Sequence, residues 1–195
     1  MPDGISLKNE IQRKLIHFAS GIIPILVLFY GRELILPILS VITILFVLVD
    51  FFKSKIYWLK NIYTYFFKTI IRENEFDNLT GASWVLIGNL IVLLIFPENI
   101  AIFSMFILSI SDSFAAIIGK YSGQTKLMNK SLQGSIAFFI SGLLVSIFFS
   151  SIALSIRVFA VISASVIELI PSRINDNISI PITTALCCTI GDLII

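Results

Sequence analysis

A few polar side chains stand out in an otherwise strongly apolar chain: Arg13, Lys14, His17, Asp50, Asp112, Glu168, Asp176 and Asn177. Ionisable groups are costly inside apolar segments and usually line a site or pair with one another. Arg13, His17 and Gly21 recur every four residues, which puts all three on one helix face. Asp112 lies deep in an apolar run, flanked by Ser109, Ser111 and Ser113. It opens a second pattern, Asp112, Ala116, Gly119 and Gly123, an acidic group followed by a small-residue face. Small residues permit close helix approach, and equally let backbone come close to a bulky polar ligand. Lys120, Lys126 and Lys130 follow, and Gly134-Ser135 opens the next apolar run. Lysines beside a glycine turn at a helix N-terminus suit phosphate. A carboxylate at the same depth can hold a divalent cation that bridges phosphates. The combination reads as a nucleotide or pyrophosphate site. Packing accounts for each glycine taken singly, Asp50 at a segment boundary reads as structural, and His17 alone would as readily be a satisfied interhelical histidine.

The elements that must position these groups are apolar helices. Hydrophobic residues are 57% of the 195, charged residues only 13%, and mean hydropathy is +0.98. A soluble domain would carry about 25% charged residues. The 17 phenylalanines suit lipid-facing helices better than a compact aqueous core. A net charge of +2, with no basic block or Cys/His finger, gives no reason to expect a nucleic-acid partner. Cys187 and Cys188 are adjacent in an apolar run and read as packing. The polar, mixed-charge segment Met1 to Glu10 does not read as a cleavable signal peptide.

Hydropathy and turn residues predict one transmembrane domain over 1–195, an all-α polytopic bundle of about seven spans: 15–30, 33–52, 82–96, 100–118, 134–150, 152–170 and 180–195. The count falls to six if the last segment is re-entrant, and the polar stretch 119–133 reads as a loop. Residues 55–72, with Tyr57, Trp58 and Tyr65 among Lys55, Lys60 and Lys68, read as an interfacial amphipathic helix. In this arrangement 12 of the 14 basic residues share one side, with Arg32 and Arg157 opposite. The positive-inside rule then makes that side, with the N-terminus and the polar cluster, cytoplasmic.

Four motifs resemble those of the integral-membrane CTP-dependent lipid kinases, the group of dolichol kinase, phytol kinase and CTP-dependent diacylglycerol kinase. Arg13-Lys14-Leu-Ile-His17-Phe-Ala-Ser-Gly21 resembles the opening RKxxHxxxG. Asp112-Ser-Phe-Ala115-Ala-Ile-Ile-Gly119-Lys-Tyr-Ser-Gly123 resembles DxxAxxxGxxxG. Lys130-Ser-Leu-Gln-Gly134-Ser135 resembles the KTxEGS turn, with Ser131 for Thr and Gln133 for Glu. Glu168 and Asp176-Asn177-Ile-Ser-Ile-Pro181 resemble the late acidic segment, and Thr80-Gly81-Ala82 a further polar turn. The second and third motifs, and Gly191-Asp192-Leu193, also resemble phosphatidate cytidylyltransferase, whose following Ser and Lys-Arg this chain lacks.

The resemblance implies transfer of the γ-phosphate of CTP to the hydroxyl of a membrane lipid alcohol at the cytoplasmic face. It implies Mg²⁺ on Asp112, with Glu168 or Asp176 as a further ligand. Arg13, Lys14, Lys120, Lys126 and Lys130 would meet phosphate oxygens, with Gly119, Gly123, Gly134, Ser135 and Asn177 shaping the nucleotide site. Asp112, His17 and Lys130 would be catalytic, with His17 or Asp112 taking the hydroxyl proton. The partners implied are CTP, a lipid alcohol and the bilayer. The alternatives are a cytidylyltransferase that makes a CDP-lipid and a non-enzymatic membrane protein or transporter.

Overall fold

The computed structural model describes residues 7–67, 75, 78–128, 130–172 and 174–194. Ten α-helices and one short hairpin appear among them in chain order. Helices α1 (Leu7–Ala19) and α2 (Ile22–Tyr30) are joined at Ser20-Gly21, and α3 (Arg32–Phe52) follows Gly31. Then come α4 (Tyr57–Phe67) and α5 (Gly81–Ile95). A single long helix holds α6 (Glu98–Phe106), a π-helical turn (Ile107–Ser111) and α7 (Asp112–Ser122). Strands β1 (Lys126–Leu127) and β2 (Lys130–Ser131) pair antiparallel, with Lys126 opposite Ser131. Helices α8 (Leu132–Ser146), α9 (Leu154–Leu169) and α10 (Asp176–Ile194) complete the chain.

Among the described residues, four helices are long and apolar enough to cross a bilayer: Ile11–Tyr30, Arg32–Phe52, Glu98–Ser122 and Asp176–Ile194. The protein is therefore a multi-pass integral-membrane protein, but the expected seven spans are corrected to four. Helices α5 and α8 have 15 residues each and α9 has 16. At 1.5 Å per residue these reach only about 22–24 Å, against a hydrocarbon core of about 30 Å. Hydropathy alone counted them because their cores are as apolar as true spans. The fold is also not purely helical, since the 119–133 stretch contains the tail of α7 and the hairpin. Where an interfacial helix over 55–72 was expected, the described residues hold the shorter helix α4, Tyr57–Phe67; Lys68 and Arg72 lie outside them. The last segment is a full helix that starts at Asp176, earlier than expected.

The 98–122 helix is the centre of the bundle. In its most apolar stretch 72% of residues are buried, against 22% for each of the first two spans. Phe103, Ile107 and Leu108 of this helix are completely buried. Helices α1, α5, α8 and α10 pack around it or its neighbours, and α9 packs on α8 and α10. Between membrane helices, close packing rather than exclusion of water provides the attraction. Helices α7 and α8 meet at glycines: a Cβ on Gly134 would stand 2.7 Å from the Ala115 carbonyl oxygen and 3.2 Å from Gly119 Cα. Beside them an apolar groove of about 890 Å³ runs between the central helix and α8, lined by Phe106, Ile110, Phe114, Ile140, Leu144 and Phe148 among others.

The ends of the bundle differ in charge. At the end where α6 begins, Arg32 donates to the Glu98 carboxylate at 2.9 Å through its backbone and to the Phe96 carbonyl through its guanidinium. Arg157 donates to the Ser146 carbonyl. The other end, where α7 stops, carries the lysines of α7 and the hairpin.

Candidate active site

Six segments converge near Asp112. Helix α1 presents Arg13, Lys14 and His17; α7 presents Asp112 and Ser113; β2 presents Lys130; α9 ends on Glu168; α10 begins with Asp176 and Asn177; and Gly81 opens α5. The π-helical turn sits immediately before Asp112. An extra residue in a turn rotates all that follows, and such turns recur at functional sites.

The site has two linked ion-pair groups. In the first, Lys14 Nζ lies 2.5 Å from Asp112 Oδ2, and His17 Nε2 lies 3.5 Å from the same oxygen. His17 also meets Ser113 Oγ at 3.3 Å through Nδ1 and Asn177 Oδ1 at 2.9 Å through Nε2. In the second, Lys130 Nζ bridges Glu168 Oε1 and Asp176 Oδ2, at 2.8 Å each. Burial pushes the Glu168 carboxyl up from its ordinary value; Lys130 opposes this, while the charges of Asp112 and Asp176 add to it. The field of Asp112 thus reaches the second group. Burial works against the charge of Lys130, but Glu168 and Asp176 outweigh it and hold its ammonium above the ordinary lysine range.

Other expected residues take different places. Arg13 Nη2 pairs with Glu75 Oε1 at 3.2 Å, a partner that no motif signalled. Lys120 and Lys126 are exposed. Gly119, Gly123 and Gly134 enclose Ser131: a Cβ on any of the three would lie 2.7–3.1 Å from an atom of its side chain. Ser131 in turn caps α8, its Oγ accepting from Gly134 N at 3.2 Å. Ser135 Oγ donates to the Ser131 carbonyl at 3.3 Å. Gln133 accepts from Thr125 N at 3.4 Å, a role that an amide fills without a carboxylate. These residues build the α7–hairpin–α8 junction, which carries Lys130. Asn177 lies on His17 and on Gly81, whose carbonyl accepts from Asn177 Nδ2 at 3.3 Å. Asp50 is anchored elsewhere, at the first turn of α5, as its boundary position suggested.

No group of three His, Cys, Asp or Glu residues among the described residues is placed to hold a metal ion. Magnesium, however, commonly takes one or two carboxylates and completes its shell with substrate phosphates and water. Glu168 and Asp176 fit that pattern: both offer hard oxygen donors around one point, and Glu168 Oε2 is buried without a hydrogen-bond partner. Asp112 fits it less well, because its Oδ2 is already shared by Lys14 and His17.

No family model matches the chain, and no solved structure does. Curated relatives do. CTP-dependent diacylglycerol kinase 1 of Saccharomyces cerevisiae is 32% identical over 143 residues, covering 70% of this chain and 49% of the yeast protein. Probable phytol kinase 1, chloroplastic, of Oryza sativa is 35% identical over 140 residues, covering 61% of this chain and 45% of the plant protein. The chain belongs to the CTP-dependent diacylglycerol kinase and phytol kinase family. Among the relatives matched over nearly their whole length is an uncharacterized protein of Rickettsia prowazekii, 35% identical over 191 residues, 93% of this chain and 94% of that one. The chain thus has the extent of that relative, yet spans about half the length of the yeast and plant kinases.

Proposed function

We propose that this protein transfers the γ-phosphate of CTP to the hydroxyl of a membrane lipid alcohol, of polyprenol, dolichol, phytol, geranylgeraniol or diacylglycerol type. The observation that carries the reading is the double ion-pair cluster, in a chain related to kinases named for CTP and for lipid alcohols. Its lysines are held at fixed positions by carboxylates that phosphates can displace or share.

In the proposed reaction, the alcohol oxygen attacks the γ-phosphorus while the bond to the β–γ bridging oxygen breaks and CDP leaves. The alcohol proton passes to Asp112. Lys14, Lys130 and Arg13 neutralise phosphate oxygens, the contribution that dominates phosphoryl transfer. Lys120 and Lys126 supply a positive rim that attracts the nucleotide. A Mg²⁺ ion entering with CTP would be held by Glu168 and Asp176 and would neutralise charge on the phosphates. The lipid chain lies along the apolar groove beside α7, whose Phe114 ring packs edge-on against Phe18 of α1 at 6.4 Å. With Arg32 and Arg157 at the opposite end, the lysine-rich end and the N-terminus face the cytoplasm.

Purified protein supplied with CTP and a panel of lipid alcohols and phosphatidate tests this. A kinase moves γ-³²P label into an alcohol and leaves CDP. Movement of α-³²P into lipid with release of pyrophosphate would make it a cytidylyltransferase, and movement of neither label would remove the enzymatic reading.

A further inference from the structure

A chain of hydrogen bonds leads from His17 to a carboxylate outside the cluster. His17 Nε2 lies 2.9 Å from Asn177 Oδ1, while the other end of that amide, Nδ2, donates to the Gly81 carbonyl at 3.3 Å. The second contact fixes which way round the amide sits. A carbonyl only accepts, so it takes the NH₂ and turns the amide oxygen towards the imidazole. An amide oxygen also only accepts, so the proton must be on Nε2. The second neighbour of that nitrogen, Asp112 Oδ2 at 3.5 Å, is likewise an acceptor. Nδ1 faces the Ser113 hydroxyl oxygen at 3.3 Å, whose own hydrogen goes to the Ser109 carbonyl at 2.6 Å.

Asn177 is itself gripped by α5 at two levels. Pro181 lacks an N–H, so the Asn177 carbonyl loses its partner within α10. That carbonyl seats against Gly88, where a Cβ would stand 2.0 Å away. One end of the same helix is tied down by Asp50. Its Oδ2 accepts from Thr80 N at 2.7 Å, Thr80 Oγ1 at 2.8 Å and Ser83 Oγ at 2.7 Å. Its Oδ1 accepts from Lys53 Nζ at 3.0 Å. Thr80 immediately precedes Gly81, so Asp50 sets the position of the carbonyl that orients Asn177.

We infer that Asn177, clamped by the first turn of α5, fixes His17 as an Nε2-protonated hydrogen-bond donor, and that Asp50 is the positioning residue that holds this clamp. The inference rests on the kinase reading only for its consequence. There, His17 keeps its Nε2 proton on Asn177 and does not remove a proton on the Asp112 side, which leaves that task to Asp112.

The chain contains one histidine, so ring-¹⁵N histidine labelling reports His17 alone. In the protein in micelles, the spectrum should show a protonated Nε2 that is hydrogen-bonded to the Asn177 amide. Asn177→Ala should turn that into a mixture of tautomers, and Asp50→Asn should do the same to a smaller degree. Ser83→Ala, which removes one donor to Asp50, serves if Asp50→Asn does not fold. In the γ-label assay, Asn177→Ala should lower kcat about tenfold or more with little change in KM for CTP. A wild-type spectrum with Nε2 unprotonated would overturn the inference, as would an unchanged spectrum in Asn177→Ala. The spectrum reads the tautomer whether or not phosphate moves. An Nε2-protonated His17 in a protein that transfers no label would therefore contradict the kinase reading alone.

Discussion

Lys14 Nζ and Asp112 Oδ2 stand 2.5 Å apart and join α1 to the central helix. Both side chains are largely buried, so removing either leaves the other's charge enclosed with less compensation. Lys14→Met and Asp112→Asn should each destabilise the fold, by about 3 kcal/mol. The double variant should cost less than the sum, with a coupling of about 1–3 kcal/mol. Chemical unfolding in micelles measures this, and strictly additive losses would mean the pair is not energetically joined.

Lys130 gives a pH prediction with a definite sign. Its folded-state value is raised above the ordinary 10.5. The folded state therefore holds the proton more tightly than the unfolded chain, and the stabilisation is fully present below 10.5. It fades only as pH rises past 10.5 and through the higher folded value. The stability difference between wild type and Lys130→Met should stay constant between about pH 6 and pH 9. A difference that vanishes near neutrality would contradict the bridge to Glu168 and Asp176.

Glu168 behaves oppositely, because burial raises its carboxyl above 4.5. Between 4.5 and the raised value the folded state binds more proton than the unfolded one, so Glu168 costs stability as pH climbs through that window. Glu168→Gln should remove this slope from the stability profile. In the transfer assay it should also raise the Mg²⁺ concentration needed for half-maximal rate, if Glu168 holds the cation as proposed. Titrating Mg²⁺ against rate at fixed CTP checks the second effect.

The glycines of the α7–α8 junction separate packing from ligand binding. Gly134→Ala sets a Cβ 2.7 Å from the Ala115 carbonyl oxygen, backbone that cannot swing aside. It should cost about 1–3 kcal/mol through overpacking and displace the hairpin that carries Lys130, raising KM for CTP. Gly81→Ala meets its nearest neighbours only at 3.6 Å and 3.7 Å. That variant should keep near-normal stability, and equal damage from the two would contradict the junction's geometry.

Much of the site was legible because it is written in short runs. The Arg13-to-Gly21 face, the Asp112-to-Gly123 run and the Lys130-to-Ser135 turn each occupy one local element, so spacing alone locates them. What was not legible depends on two elements meeting. The pairing of Arg13 with Glu75, and Asn177 lying on His17, have no local signature. Asp176 and Asn177 fall between the expected spans 152–170 and 180–195, so hydropathy places them outside any helix. The structure instead begins α10 at Asp176 and accommodates Pro181 by leaving one carbonyl without its in-helix partner. Span counting failed for a related reason: α5, α8 and α9 are as apolar as spans, and only their lengths of 15, 15 and 16 residues set them apart. The π-helical turn at Ile107–Ser111 is invisible to periodicity, because its apolar and serine residues fit an ordinary helix equally well.

The central claim is that γ-phosphate is transferred at the cluster around Asp112. The most direct measurement is γ-³²P transfer from CTP to a lipid alcohol, by wild type and by Asp112→Asn protein purified side by side and shown to be folded. Wild type should label the alcohol and release CDP, and Asp112→Asn should be slower by about a hundredfold or more. Near-normal turnover by Asp112→Asn, or no γ-label in lipid from wild type, would contradict the account.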